Sequence, residues 1–349
     1  MNNKVKNLID KLEHTNSLSI LDYQYLIENQ SQNASDYINT KAQSISNKFF
    51  HNHIYIRGLI EVSNICHNNC YYCGIRKSNT NCQRYMLTKE QILNCCSLGY
   101  KLGFRTFVLQ GGEGKTSQCE FITALVREIK NRHQDCAITL SLGEYSKQEY
   151  QQMFDAGADR YLLRHETANK DHYEKLHPLD MSFENRIECL NNLKEIGFQV
   201  GCGFMVGSPY QTSKNLAEDL KFIEKFKPDM CGIGPFIPHK DTVFAKDNPG
   251  TLGDTLFLLS IIRLIHPTIL LPSTTALGTI DQFGREKGIL AGANVVMPNL
   301  SPVSIRSKYS LYDNKLSTGA ESAQNLNILK NRFKKIGYDI VISKGDAIK

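Results

Sequence analysis

A complete (β/α)8 barrel of the TIM type, with a helical N-terminal extension and a C-terminal helix, is the fold this sequence predicts, on three observations. Short apolar runs alternate with longer amphipathic segments across residues 56–298. The runs number eight. The unusual polar clusters fall just after them, where the C-terminal rim of such a barrel would lie.

Residues 1–50 are patterned as a charged, helical extension. The apolar runs occupy 56–63, 106–110, 137–142, 160–164, 199–205, 230–234, 269–272 and 294–297. Helical patterns fill the gaps at 89–102, 120–132, 147–156, 183–196, 214–226 and 252–265. Parallel strands need crossover connections of one hand, so alternating units of this kind wind into a barrel over residues 51–315. Residues 316–349 form a tail, with a helix expected at 321–336 packing back on the barrel. The 349 residues, 41% of them hydrophobic, could hold two domains. Without low-complexity segments or proline-rich linkers they read as one unit, and no apolar run is long enough to span a membrane.

The most informative stretch follows the first run: Cys66-His67-Asn68-Asn69-Cys70-Tyr71-Tyr72-Cys73-Gly74, three cysteines in a C-x3-C-x2-C arrangement. A structural zinc usually takes four ligands at finger-like spacing, and His67, inside the loop, is badly placed to be the fourth. Disulfides are not expected either. Eleven is an odd number of cysteines, residues 1–19 do not read as a secretory leader, and a reducing cytoplasm is the expected compartment. The other eight cysteines show no second cluster spacing and read as small hydrophobes or free thiols.

This loop resembles that of the radical S-adenosylmethionine (SAM) superfamily. The resemblance implies a 4Fe-4S cluster held by Cys66, Cys70 and Cys73, with one iron left for SAM. Gly111 and Gly112 then let backbone approach a ligand closely, with Glu113 as an acceptor beside them; alone, that tripeptide is just a turn. Arg164, His165 and Glu166 place charge at a strand end. Glu166 suits ribose hydroxyls and Arg186 a carboxylate, against the plainer reading of a rim salt bridge. A net charge of +6 is dispersed, its densest cluster being Lys330, Arg332, Lys334 and Lys335 on one helix, so nucleic-acid binding is not expected.

Longer stretches narrow the resemblance. They are CYYCGIR at 70–76, RYM at 84–86, VLQGGE at 108–113, TLSLGE at 139–144, RYLLRHETAN at 160–169, SFENR at 182–186, GIGPFIPH at 232–239, TTALGT at 274–279 and ANVVMPN at 293–299. Together, across about residues 50–315, they resemble the HydE family of FeFe-hydrogenase maturases. That resemblance implies a SAM-derived radical adding to the cysteine sulfur of an iron carbonyl cyanide complex from HydG, transfer toward HydF, and a reducing electron donor. It implies SAM contacts at Tyr72, Gln110, Gly111, Gly112, Glu113, Thr139, Ser141, Arg164, Glu166 and Arg186. A closed substrate cavity, wide enough for a small metal complex, is expected to be lined by Arg57, Thr274, Thr275, Met297, Tyr309 and Tyr312. The C-terminal cysteines that serve an accessory cluster in some members do not occur here. Two other readings stay open: a methylornithine synthase-like radical SAM mutase, and a non-catalytic iron-sulfur carrier.

Overall fold

The computed structural model describes residues 1–114 and 116–348. Residues 1–50 hold three helices, Asn3–Thr15, Ile20–Glu28 and Gln32–Phe50. Each starts where an Asn or Ser side chain (Asn2, Ser19, Ser31) accepts a hydrogen bond from the amide three residues on. The buried stripe Ala34, Ile38 and Ala42 of the third faces helix Leu252–Ile265. That helix is apolar on nearly every side because it is sandwiched between this extension and the sheet.

The strands are β1 His53–Ile56, β2 Gly58–Ser63, β3 Thr106–Gly111, β4 Ala137–Ser141, β5 Arg160–Leu162, β6 Gln199–Cys202, β7 Met205–Val206, β8 Met230–Cys231, β9 Gly234–Pro235, β10 Val295–Val296 and β11 Asp339–Val341. Six of them form a parallel sheet in the order β2-β3-β4-β5-β6-β8. A second sheet runs β10-β1-β11, and β7 pairs with β9. The expected eight continuous strands are therefore not what is seen. The first run breaks at Arg57, and the fifth and sixth each break into two short strands. The seventh is reduced to the isolated bridges Met230↔Leu270 and Pro272↔Val295. Proline has no N–H to give a ladder, which accounts for the interruption at Pro272.

Register aligns the side chains that matter. Leu59, Val108, Thr139 and Arg160 stand side by side across β2 to β5, and two residues further along Glu61, Gln110 and Ser141 do the same. Alternation puts both rows on one face.

The tail is more than a helix. Helix Leu326–Lys335 follows two single 3₁₀ turns, and β11 then pairs in parallel with β1, Ile54 opposite Ile340. The chain next crosses the N-terminal ends of the strands. Lys344 O accepts from Thr106 Oγ1 at 2.7 Å and Arg160 Nη2 at 2.9 Å, Asp346 pairs with Arg160, and Gln199 Oε1 accepts from Ala347 N at 3.0 Å. Residues 344–347 form a floor to the sheet.

Candidate active site

The cysteine loop has little regular structure and is held by side chains. Arg84 donates to four carbonyls, those of Asn64, Ile75, Arg76 and Asn79, at 2.6–3.2 Å. Asn79 Nδ2 binds Gly74 O at 2.7 Å, and Lys77 N binds Asn68 O at 2.8 Å. Cys66, Cys70 and Cys73 are all free thiols, partly exposed. Burial raises the pKa of each, that of Cys73 to about 12, and the neighbouring thiolates push Cys70 and Cys73 further the same way. Three mutually repelling thiolates in one loop are a donor set that a cationic iron cluster would neutralise, with protons released on binding. Among the described residues no three His, Cys, Asp or Glu side chains are grouped to hold a single metal ion.

The glycine turn touches this loop directly. His67 N donates to Glu113 O at 3.0 Å and Gly112 N to Ser63 O at 2.9 Å. A Cβ on Gly112 would lie 2.4 Å from Ile65 O, so only glycine permits the contact. Gly143, at φ +89°, leaves the space in which the Glu113 carboxyl lies.

Arg186 projects from helix Phe183–Ile196, whose first turn is capped by Ser182. Its Nε lies 2.6 Å from Glu144 Oε1 and its Nη2 3.9 Å from Glu113 Oε2. Among the described residues neither Arg186 Nε nor Glu144 Oε1 has a partner in hydrogen-bond geometry, although both are buried. Burial opposes the charge on Arg186, but Glu113 and Glu144 outweigh it and hold its pKa above the usual range. Two carboxylates against one guanidinium leave an acceptor in excess, an arrangement able to take both the ammonium and the carboxylate of an amino acid.

Glu166 has a left-handed backbone, φ +64°, rare for a residue with a Cβ and typical of constrained functional positions. Its Oε2 and the Nε and Nη2 of Arg164, 3.5 Å away at the nearest, are buried without hydrogen-bond partners among the described residues. Beneath it, Gly203 N donates to His165 Nδ1 at 3.3 Å, so the ring proton sits on Nε2, facing Asp219 Oδ1 at 3.3 Å. Asp219 also accepts from Ala168 N at 2.5 Å. This wholly buried pair braces the Glu166 turn from below.

Tyr72 donates to His177 Nε2 at 3.1 Å, the other ring nitrogen binding Tyr173 O at 2.9 Å. Burial lowers His177 to about 3, so the imidazole is neutral. Gln110 Nε2 donates to Tyr309 OH at 3.3 Å, and Ser141 stands beside Gln110 on β4.

The expected substrate residues separate into two levels. Arg57, Met297 and Thr139, the last expected among the SAM contacts, line one interior cavity with Val108, Leu162 and Met230. Its volume is about 20 Å³, room for about one water and not for a metal complex. Arg57 fills that level: it donates to Met230 Sδ at 2.6 Å and Gly345 O at 3.4 Å. Thr274, Thr275, Tyr309 and Tyr312 do not line this cavity. Thr275 Oγ1 is engaged by the buried Arg285–Glu321 pair, at 2.9 Å from Arg285 Nη2, while Thr274 Oγ1 is buried and, among the described residues, unpartnered. Tyr309 and Tyr312 both lie within electrostatic reach of Glu61.

Sequence reading missed Glu61, Lys315, Glu144 as the partner of Arg186, Asp219 and His177. Glu61 was legible, being a charge inside an apolar run. Lys315, in a loop, carries no signal.

Comparison with known proteins bears on the family and the fold. A family model described as the Radical SAM superfamily matches residues 60–223. HydE, an [FeFe] hydrogenase maturase subunit of Thermotoga maritima, is 46% identical over 79% of this chain and 78% of its own. A 3-methylornithine synthase of Methanosarcina acetivorans is 26% identical over 92% and 90%. Among solved structures, methylornithine synthase (PylB) superposes with a TM-score of 0.84 at 24% identity, over 96% of this chain and 97% of that one. The maturase HydG gives 0.80 at 20% identity, over 97% and 76%. These two share the fold. Matched by the superfamily model and 46% identical to HydE over 79% of its length, the chain is a radical SAM enzyme and belongs to the HydE family of [FeFe]-hydrogenase maturases.

Proposed function

We propose that this enzyme performs a step in assembling the diiron subcluster of FeFe-hydrogenase, acting on an iron carbonyl cyanide complex of cysteine supplied by HydG and passing its product toward HydF. One 4Fe-4S cluster with bound SAM would supply a 5'-deoxyadenosyl radical that adds to the cysteine sulfur. The observation that carries the reading is the direct backbone link between the cysteine loop and the Gly112–Glu113 turn, with Arg186 and Glu144 behind it.

Cys66, Cys70 and Cys73 would hold the cluster. Glu113 would accept the SAM ammonium, Arg186 would orient its carboxylate, and Glu166 would accept from the ribose hydroxyls, its unpartnered Oε2 supporting that role. Gln110, Gly111, Gly112, Ser141, Arg164 and Tyr72 complete the SAM wall. The bridges from β8 to Leu270 and from Pro272 to β10, which pairs with β1, support reading the sheet as a closed eight-stranded barrel. Such a barrel excludes water from a radical. Substrate would sit at the upper level, by Thr274, Thr275, Tyr309 and Tyr312, with Arg57, Thr139 and Met297 beneath it.

The test is anaerobic reconstitution followed by SAM, reductant, the HydG product, HydF and apo-hydrogenase. Hydrogenase activity should appear with the intact chain, and replacing all three cysteines by serine should abolish both the cluster and SAM cleavage. Hydrogenase activation equal with and without the chain, or conversion of lysine to methylornithine, would overturn the proposal.

A further inference from the structure

Glu61 and Lys315 form a buried ion pair that none of the steps above uses. Glu61 is fully buried in β2, and register places it beside Gln110, one residue before the glycine turn begins. Its Oε1 lies 2.5 Å from Lys315 Nζ, and its Oε2 accepts from Asn299 Nδ2 at 2.9 Å. The Lys315 side chain is 9% exposed, and its ammonium stands 5.3 Å from the centre of the Tyr309 ring, whose hydroxyl is bound by Gln110.

Burying two charges costs desolvation that their attraction recovers only with good geometry and further hydrogen bonds. The nearby Arg285–Glu321 pair has that support, its guanidinium also binding Ser273 O and Thr275 Oγ1. Lys315 has three N–H donors and, among the described residues, one hydrogen bond, to Glu61. A half-satisfied pair at the catalytic face of the sheet is poorly explained by stability alone.

We infer that Glu61 and Lys315 are an exchangeable pair that binds the zwitterionic end of an α-amino acid. The incoming carboxylate takes Lys315 and the ammonium takes Glu61. The exchange leaves no net charge buried, and Tyr309 walls the side-chain end toward Gln110 and the SAM turn. This rests on the reading above only in taking cysteine as the amino acid of the substrate.

The probes are S-methyl-L-cysteine, S-methylcysteamine, which lacks the carboxylate, and 3-(methylthio)propionate, which lacks the ammonium. Thioethers avoid simple thiolate capture by iron. Calorimetry on the reconstituted enzyme should show the amino acid binding at least tenfold more tightly than either truncated probe. Lys315→Met should erase the preference over S-methylcysteamine, and Glu61→Gln the preference over 3-(methylthio)propionate. Iron content, measured alongside, reports whether each variant has folded. Equal binding of the three probes by the unmodified enzyme, binding by none, or preferences unaltered in a folded variant overturns the inference. Reductive SAM cleavage by the unmodified enzyme is scored separately. Its loss would count against the radical SAM reading, whereas cleavage with a flat probe series sinks only the ion-pair site.

Discussion

At the rim, Arg186 lies between Glu113 and Glu144 with its Nε unbonded, and Arg164 and Glu166 face each other without a hydrogen bond. At the floor, Arg160 is no less buried, yet its donors reach Gln199, Thr106, Lys344 O and Asp346. Both ends bury guanidinium groups, so burial of charge by itself does not locate function. What separates them is the degree of satisfaction: Arg160 at the floor uses its donors on its own chain, although Arg57 Nε beside it is unpartnered among the described residues, whereas at the rim Arg186 Nε and the Nε and Nη2 of Arg164 are all left so.

Substitution can break that contrast. The largest effect is expected at the rim. Arg186→Lys should weaken SAM binding about tenfold or more, because an ammonium cannot reproduce the planar fork and a charge-assisted hydrogen bond contributes about 1.5–3 kcal/mol. Equilibrium binding measures this. Unchanged affinity would make Arg186 a structural partner of Glu144 and erase the distinction.

Asp346→Ala is the matching change at the floor. It strands the Arg160 guanidinium, and since Asp346 is half exposed the loss should be on the order of 2 kcal/mol, less than for a fully buried pair. A thermal midpoint several degrees lower with SAM affinity unaltered is the expected outcome. Weakened SAM binding in that variant would show the two ends to be coupled.

The smallest effect is acid sensitivity remote from both ends. Burial, with help from Arg263, lowers His266 to about 4. Its native form stays neutral while the unfolded chain takes a proton below about pH 6.5. Stability contributed above that pH is therefore lost as pH falls toward 4, by about 1 kcal/mol near pH 5.5. His266→Gln should narrow the gap between urea midpoints measured at pH 7.5 and 5.5. An unaltered gap would place the acid sensitivity at other buried histidines, such as His177.

Much of the rim was legible in the sequence because close spacing carries it. Three cysteines within eight positions and a glycine pair after an apolar run constrain geometry locally. Height along the sheet is not local. Arg57 and Glu61 share a strand face, but four residues at about 3.3 Å each put them roughly 13 Å apart along it. The first lies at the floor and the second at the mouth, so Arg57 and Met297 share a cavity of only about 20 Å³ apart from the other residues expected to line it. The direction of the strand would have shown this, since function gathers at C-terminal strand ends. The seventh strand and β11 were harder. One is only two bridges long, and the other is a three-residue run whose pairing with β1 comes from a tail that reads as helical.

The floor also bears on how the chain is made. Arg57 meets Gly345 across 288 positions, and ribosomes add about 5–20 residues per second. Roughly 15–60 s of synthesis therefore separates the emergence of this arginine from that of the segment covering it. The nascent polypeptide can assemble its upper layers first, but docking of residues 344–347 has to wait until that segment has emerged. A product stalled before Lys344 would carry an open underside with Arg57 and Arg160 uncovered, a recognisable target for chaperones and proteases.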